Sequence, residues 1–173
     1  AGWIEALLEQ AQRENVACAG AKLLYPNGTI QHAGVVMGPD GSADHIFRFA
    51  AGESQAGPQG ISCIRNYRMI TGACMMIRRK TLEDLGGFDE GYQAGFGDLD
   101  LCMQAHYRGF LNVYTPFAEL YHHESASLAT SPSAGYHQVD RERFRERWGR
   151  MLVQGDPYYH PMLPYHDFCL KYR

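Results

Sequence analysis

No stretch of 18 apolar residues occurs in this chain of 173 residues, so no segment is long and apolar enough to cross a bilayer as a helix. The apolar run from Met69 to Ile77 is already broken by Thr71 and Gly72. Basic excess is absent too: 16 Lys and Arg stand against 19 Asp and Glu, a net charge of −3. That balance supplies no field to draw the protein to nucleic acid, and no polybasic run draws it to a membrane. No nucleic-acid partner is therefore expected. The opening Ala1-Gly2-Trp3 lacks an initiator Met and shows no basic-then-apolar leader pattern. We therefore expect a piece of something longer, placed in the cytoplasm, and at the membrane surface if further segments hold it there.

Cysteine is sparse and odd in number. Cys18, Cys63, Cys74, Cys102 and Cys169 include no closely spaced pair, which excludes a C-x-x-C metal or redox motif. Their apolar settings, such as Ala17-Cys18-Ala19, read as small buried hydrophobes in a reducing compartment. With 45% hydrophobic and 20% charged residues, the chain has the balance of a globular protein and room for one real core.

The pattern alternates between strand and helix. Trp3, Ile4, Leu7, Leu8 and Ala11 form an amphipathic helical stripe, closed by Asn15. Val16 to Tyr25 reads as a strand and Pro26-Asn27-Gly28-Thr29 as a turn. Ile30 to Met37 then reads as the return strand of a hairpin. Gly38 to Gly60 is rich in small and polar residues and reads as a long loop. Strand character returns over Ile61 to Ile77. A short helix follows over Arg78 to Leu85, with Thr81 and Asp84 placed as a capping box and Gly86-Gly87 as its left-handed stop. A second helix is expected over Asp98 to Arg108, with Leu99, Met103 and Tyr107 on one face and Gly109 ending it. Pro116 splits two short strands, Asn112 to Thr115 and Ala118 to Tyr121. Ser125 to Gly135 reads as a loop. Asp140 is placed to cap a third helix carrying a Phe144, Trp148 and Met151 or Leu152 stripe. Asp156 to Arg173 is an aromatic, Pro-rich arm. The expected class is α/β or α+β with a mixed sheet.

Three clusters could carry chemistry. Gly97-Asp98-Leu99-Asp100 lies where a Gly-rich loop meets a helix. A carboxylate there suits the positive end of the helix dipole, as a plain cap or as a general base at a loop mouth. Tyr121-His122-His123-Glu124 follows a short strand. Adjacent strand residues face opposite ways, so one His is structural and the other is available to a metal or phosphate. Thr71-Gly72-Ala73 inside an apolar strand marks close backbone approach, for packing or for a ligand.

Taken in order, these pieces resemble a known family. Gly20 to Gly34 (Gly-Ala-Lys-Leu-Leu-Tyr-Pro-Asn-Gly-Thr-Ile-Gln-His-Ala-Gly) comes first. Then come Thr71-Gly72-Ala73, Gly86-Gly87-Phe88-Asp89-Glu90, Asp98-x-Asp100-Leu101-Cys102 and His122-His123-Glu124-Ser125. Together they look like the second half of a family 2 glycosyltransferase. The resemblance runs from about Trp3 to Ser127. It implies a partial GT-A fold, a nucleotide-diphospho-sugar transferase-like sheet flanked by helices. Residues 1–128 are then the acceptor-side half, and 129–173 a C-terminal helix and arm. The implied reaction moves a sugar, with inversion, from a nucleotide-diphosphate sugar to a hydroxyl of a glycan or lipid-linked acceptor.

In the family's pattern Asp98 matches the catalytic base, and Gly97 replaces the acid that normally precedes it. His122, 24 residues beyond Asp98, matches the His that helps hold the metal or diphosphate, with His123 as the alternative. Thr71, Gly72 and Ala73 are expected to line the acceptor side together with Asp100, which orients the loop through backbone hydrogen bonds. Leu128 stands where relatives often carry Arg. A divalent cation, Mn²⁺ or Mg²⁺, is implied for the intact enzyme. Its Asp-x-Asp motif belongs to a donor half that would precede Trp3, so this chain alone is expected to be inactive. Two other readings stand beside this one: a non-catalytic carbohydrate-binding or assembly module, and a small metal hydrolase using Asp98, Asp100, His122 and His123. A sheet missing its donor half would bare Val16 to Leu24, Ile70 to Ile77 and the Val113 strand, so a homo-oligomer of the chain is expected.

Overall fold

The computed structural model describes residues 2–52, 61–93, 95–123, 133–160 and 162. Helix α1 (Trp3–Ala11) leads into β1 (Val16–Leu24), whose nine residues are all buried. The small residues Ala17, Cys18, Ala19, Gly20 and Ala21 let other elements close on both faces of this strand. Ala19, Ala21 and Leu23 pack under Leu7 and Ala11 of α1. On the opposite face Gly20 lies against Ile70, and a Cβ there would fall 2.8 Å from Ile70 Cδ1. Of the expected α1 stripe only Leu7 and Ala11 are buried. Trp3, Ile4 and Leu8 stay exposed, because the sheet covers a single narrow face of a helix that ends at Ala11.

Two partners share one edge of β1. Strand β2 (Ile30–His32) pairs antiparallel near Leu24, and β6 (Met75–Ile77) pairs antiparallel near Cys18 to Gly20. On the other edge β7 (Leu111–Tyr121) runs parallel to β1, and β5 (Arg65–Tyr67) pairs antiparallel with β7. The sheet is therefore mixed, as expected. Val16 to Leu24 is its central strand and not an uncovered edge. Pro116 does not end a strand either. The register jumps from Ala21 opposite Thr115 to Lys22 opposite Glu119, so Pro116 to Ala118 bulge out of one long strand. A bulge is where a residue without an N–H can sit in a sheet.

The expected return strand breaks in two. After β2, Gly34 turns the chain with φ 124° against the Tyr67 ring, where a Cβ would lie 2.4 Å from the ring carbon Cε2. Strand β3 (Val35–Met37) then leaves the main sheet and pairs with β4 (Ala43–His45) as a separate hairpin. Part of the expected long loop is thus ordered strand, while 53–60 lie outside the described residues.

Helix α2 (Arg79–Leu85) starts after Arg78, with no side-chain cap, and Thr81 is buried within it. Gly86 and Gly87 end it with φ of 91° and 77°, as expected. In α3 (Gly97–Tyr107) the buried face is Leu99, Leu101, Cys102, Met103 and Ala105, and Tyr107 is exposed. Helix α4 (Ser133–Leu152) starts seven residues before Asp140. Asp140 is therefore no cap of α4. Phe144, Trp148 and Leu152 form the expected stripe and join the same core as α3 and β1. No helix of the described residues is long and apolar enough to cross a membrane. Most of the arm beyond Tyr159 lies outside the described residues.

One carboxylate ties α4 to α3. Asp100 has no exposed surface. Its Oδ1 accepts from Trp148 Nε1 at 2.7 Å and from the Tyr92 hydroxyl at 3.1 Å. Its Oδ2 accepts from Arg147 and from Gln104 Nε2, both at 2.9 Å. Replacing Asp100 by Ala strands the buried Trp148 N–H and three part-buried donors, of which Arg147 keeps Asp89, so we expect a loss of about 1–3 kcal/mol in urea unfolding. A loss below about 1 kcal/mol would show that the cluster does not hold α4.

Candidate functional site

The loop after α2 ends at Phe96, the residue before α3, a bulky residue held at φ 67°. Non-glycine residues in this region are uncommon and are kept there by their surroundings. Here the Phe96 ring packs on Phe144 of α4, with centroids 5.4 Å apart. The loop backbone is held from the same helix. Asp140, fully buried, accepts from Gln93 N–H at 3.0 and 3.1 Å and from Gly95 N–H at 2.9 Å. Helix α3 begins one residue after Phe96, which puts Asp98 in its first turn.

Asp98 is half-buried and its carboxylate is held on three sides. Gly72 N–H donates to Oδ2 at 2.6 Å, the Thr71 hydroxyl reaches Oδ2 at 3.4 Å, and Leu99 N–H donates to Oδ1 at 2.9 Å. Thr71 also caps the short 3₁₀ turn Gly72–Cys74 by accepting from Ala73 N–H at 3.3 Å. The approach favours glycine at 72, since a Cβ there would sit 3.0 Å from Asp98 Cβ and press on it. The Thr-Gly-Ala step in an apolar stretch therefore marks the place where backbone meets this carboxylate. Ionised carboxylates accept about four hydrogen bonds, so Asp98 keeps capacity for a further donor.

Asp98 and Thr71 line an open cleft of about 200 Å³. Its other walls are Val35, Ala43, Asp44 and His45 of the β3–β4 hairpin, Gly95, Phe96 and Leu99 at the head of α3, and His137 of α4. No Lys or Arg lines it among the described residues. The sequence does not point to the hairpin wall or to His137. Asp44-His45 sits in a stretch that composition marks as loop, and His137 lies between the Ser125 to Gly135 loop and the helix expected from Asp140. Nothing in local sequence reports that either meets Asp98. Asp140 is likewise visible only as a cap signal, because its contacts cross more than 40 residues.

The expected site residues do not all converge. Gly72 and Thr71 hold Asp98, and Ala73 is exposed beside them. The Asp100 carboxylate points into the α3–α4 core, bonded to side chains and to no backbone amide among the described contacts. His122 and His123 follow the end of β7, where His122 N–H donates to Leu24 O at 2.9 Å. Neither is among the described residues lining the cleft. His122 is half-buried, and its Nδ1 is buried with no hydrogen-bond partner. Among the described residues no three His, Cys, Asp or Glu side chains converge on one point. These residues do not by themselves fit a cation site. Glu124 to Leu128 lie outside the described residues.

Beneath the hairpin wall, His32 of β2 is fully buried. Its Nδ1 lies 2.8 Å from Nδ1 of His45. Burial, and then the neighbouring His45, hold His32 well below the ordinary imidazole value of 6.5.

No protein-family model matches the chain. It is 38% identical over 175 residues to an uncharacterised protein of Sinorhizobium fredii, a match covering 98% of this chain and 19% of that protein. It is 40% identical over 164 residues to the O-antigen biosynthesis protein RfbC of Myxococcus xanthus, covering 93% of this chain and 12% of that protein. A shorter match, 37% identical over 65 residues, links it to N-acetylglucosaminyl-diphospho-decaprenol L-rhamnosyltransferase of Mycobacterium tuberculosis, covering 38% of this chain and 21% of that enzyme. The chain thus spans about a fifth or less of the length of these curated relatives. It is related in sequence to proteins of O-antigen biosynthesis and sugar transfer.

The buried His32 generates a pH prediction. Below about pH 6.5 the unfolded chain takes up a proton at this position that the folded chain refuses. Stability is therefore full above that pH and falls as the pH drops toward the depressed folded value, by at most about 1.4 kcal/mol per pH unit from this group. His32→Gln should flatten the slope of urea midpoints between pH 7 and 5.5. An unchanged slope would place the acid sensitivity elsewhere.

Proposed function

We propose that this chain is the acceptor-side part of an inverting glycosyltransferase of the family 2 type, with Asp98 as its general base. The observation that carries the reading is the Asp98 carboxylate at the head of α3, fixed by Gly72, Thr71 and Leu99 and open to a cleft. The relationship to a rhamnosyltransferase and to an O-antigen biosynthesis protein supports it, as does the order of motifs from Gly20 to Ser125.

In this reading an acceptor hydroxyl enters the cleft and donates its hydrogen bond to Asp98. As the hydroxyl oxygen forms its bond to the anomeric carbon, the proton passes to the carboxylate. The bond from that carbon to the nucleoside diphosphate breaks, and its electron pair leaves with the diphosphate. General-base help of this kind is worth about 10²–10⁴ in rate. A divalent cation, Mn²⁺ or Mg²⁺, would supply charge neutralisation of the leaving diphosphate in the intact enzyme, and the described residues do not by themselves hold one. The donor is a nucleotide-diphosphate sugar and the acceptor a glycan or a lipid-linked sugar. A second reading, a non-catalytic sugar-binding module, draws on Gly97, which stands where the family carries an acid.

The test is transfer by the full-length protein, using a panel of nucleotide-diphosphate sugars with octyl glycosides as acceptors. Asp98→Asn should lower kcat by about 10²–10⁴ while donor binding persists. Near-normal turnover by that variant would move the base elsewhere, and a wild-type protein that binds sugars without transfer would favour the second reading. Gly72→Ala pushes on Asp98 and should lower transfer by roughly tenfold or more with little change in unfolding midpoint. Wild-type rates in that variant would show that the Gly72 contact does not position the carboxylate.

A further inference from the structure

We propose that His45, anchored from beneath by the buried His32, is a substrate-positioning residue of the Asp98 cleft, and that the cleft takes an uncharged sugar ring. This rests on the glycosyltransferase reading and names the chemistry of the acceptor it admits.

The charge of the lining comes first. Asp44 and Asp98 bring two carboxylates to the cleft, and no Lys or Arg lines it among the described residues. Arg48 lies 3.8 Å from Asp44, and Arg141 is paired with Asp40 at 3.0 Å. A carboxylate or phosphate on the entering ring would meet like charge at Asp98 with no Lys or Arg among the described lining residues, which costs free energy in a partly desolvated site. The remaining lining suits a ring with one apolar face and a hydroxylated edge. Val35, Ala43, Phe96 and Leu99 are apolar, while Asp44, His45, Thr71, Asp98 and His137 carry polar groups. At about 200 Å³ the cleft falls below the roughly 300 Å³ at which drug-sized pockets begin, so one ring enters and the rest of the ligand stays outside.

The second observation is the histidine pair. Two Nδ1 atoms 2.8 Å apart can hold one proton between them, since two N–H groups would face each other and two lone pairs would repel. His32 has no exposed surface, and its Nε2 is buried without a hydrogen-bond partner. A buried polar atom left without a partner is costly, and here it accompanies a bond that orients a residue on the cleft wall. The rings meet edge to face at 83°, with centroids 5.0 Å apart. His32 thus fixes the plane and rotation of His45 from below. A core that needed only volume at position 32 would be filled by an apolar residue. The cost of burying an imidazole there is explained if the orientation of His45 matters to what the cleft holds.

The test uses the full-length protein with octyl glycosides of neutral hexoses and N-acetylhexosamines as acceptors, and octyl glucuronide as the charged comparison. His45→Ala should raise the acceptor KM about tenfold, the effect of one hydrogen bond to substrate, with kcat falling less than threefold and the donor KM unmoved. His45→Gln, which keeps a polar group on the same wall, should recover most of that loss. His32→Phe, which removes the anchor, should raise the acceptor KM by a smaller factor. The glucuronide should be at least tenfold poorer than the neutral glycosides. A neutral glycoside should also slow carbethoxylation of His45 by diethylpyrocarbonate, read by peptide mass spectrometry, without protecting the exposed His160, so the test stands if a variant fails to fold. An unchanged acceptor KM in His45→Ala, a loss wholly in kcat, equal use of the glucuronide, or no protection of His45 would each overturn the proposal. If Asp98→Asn keeps its turnover, the glycosyltransferase reading fails instead, and the two failures are told apart by that variant.

Discussion

The arrangement of this protein depends on one buried carboxylate. Asp100 lies two residues beyond Asp98 and faces the other way, into the joint between α3 and α4. There it accepts from Tyr92, Gln104, Arg147 and Trp148. A fully desolvated carboxylate is tolerable only when every lone pair is engaged, so the four donors are obliged to stay together. Tyr92 belongs to the loop before α3, Gln104 to α3, and Arg147 and Trp148 to α4. Meeting the needs of one charge therefore fixes a loop and two helices at once.

The same joint shapes the cleft. Asp140, two turns before Trp148 on α4, holds the backbone of Gln93 and Gly95. Arg143 and Arg147 reach Asp89 at 2.9 and 3.4 Å at the start of the same loop. These exposed pairs add little by themselves, but they close the network around a loop that ends in the strained Phe96. Asp98 inherits its place from that loop and from the Gly72 amide. The two aspartates of Asp98-Leu99-Asp100 thus divide the work, one facing the cleft and one the core.

Parts of this were legible in the chain. The Gly86-Gly87 stop, the Phe144, Trp148 and Leu152 stripe and the mixed-sheet class follow from local rules of φ and periodicity, and the structure shows each. Other readings failed where a neighbour decided the outcome. Pro116 breaks a hydrogen-bonded ladder in isolation, yet β7 continues past it because β1 supplies partners on both sides of the bulge. Thr81 has the spacing of a cap, but its side chain is buried within α2. Tyr107 has the spacing of a core face, but α4 covers only the Trp148 side of it, with ring centroids 6.2 Å apart.

By itself the sequence determined which groups exist to do chemistry and roughly where helices and strands begin. Asp98 at a loop-to-helix junction and the Thr-Gly-Ala step are local patterns, because capping, turn geometry and close backbone approach are set by residues a few positions apart. Tertiary structure alone decided which of those groups meet. It turned Asp100 inward, brought the β3–β4 hairpin and His137 opposite Asp98, and left His122 at the end of β7 outside that cleft. Such contacts span tens of residues and depend on how helices and sheet close over one core. No periodicity or spacing within a short window carries that information.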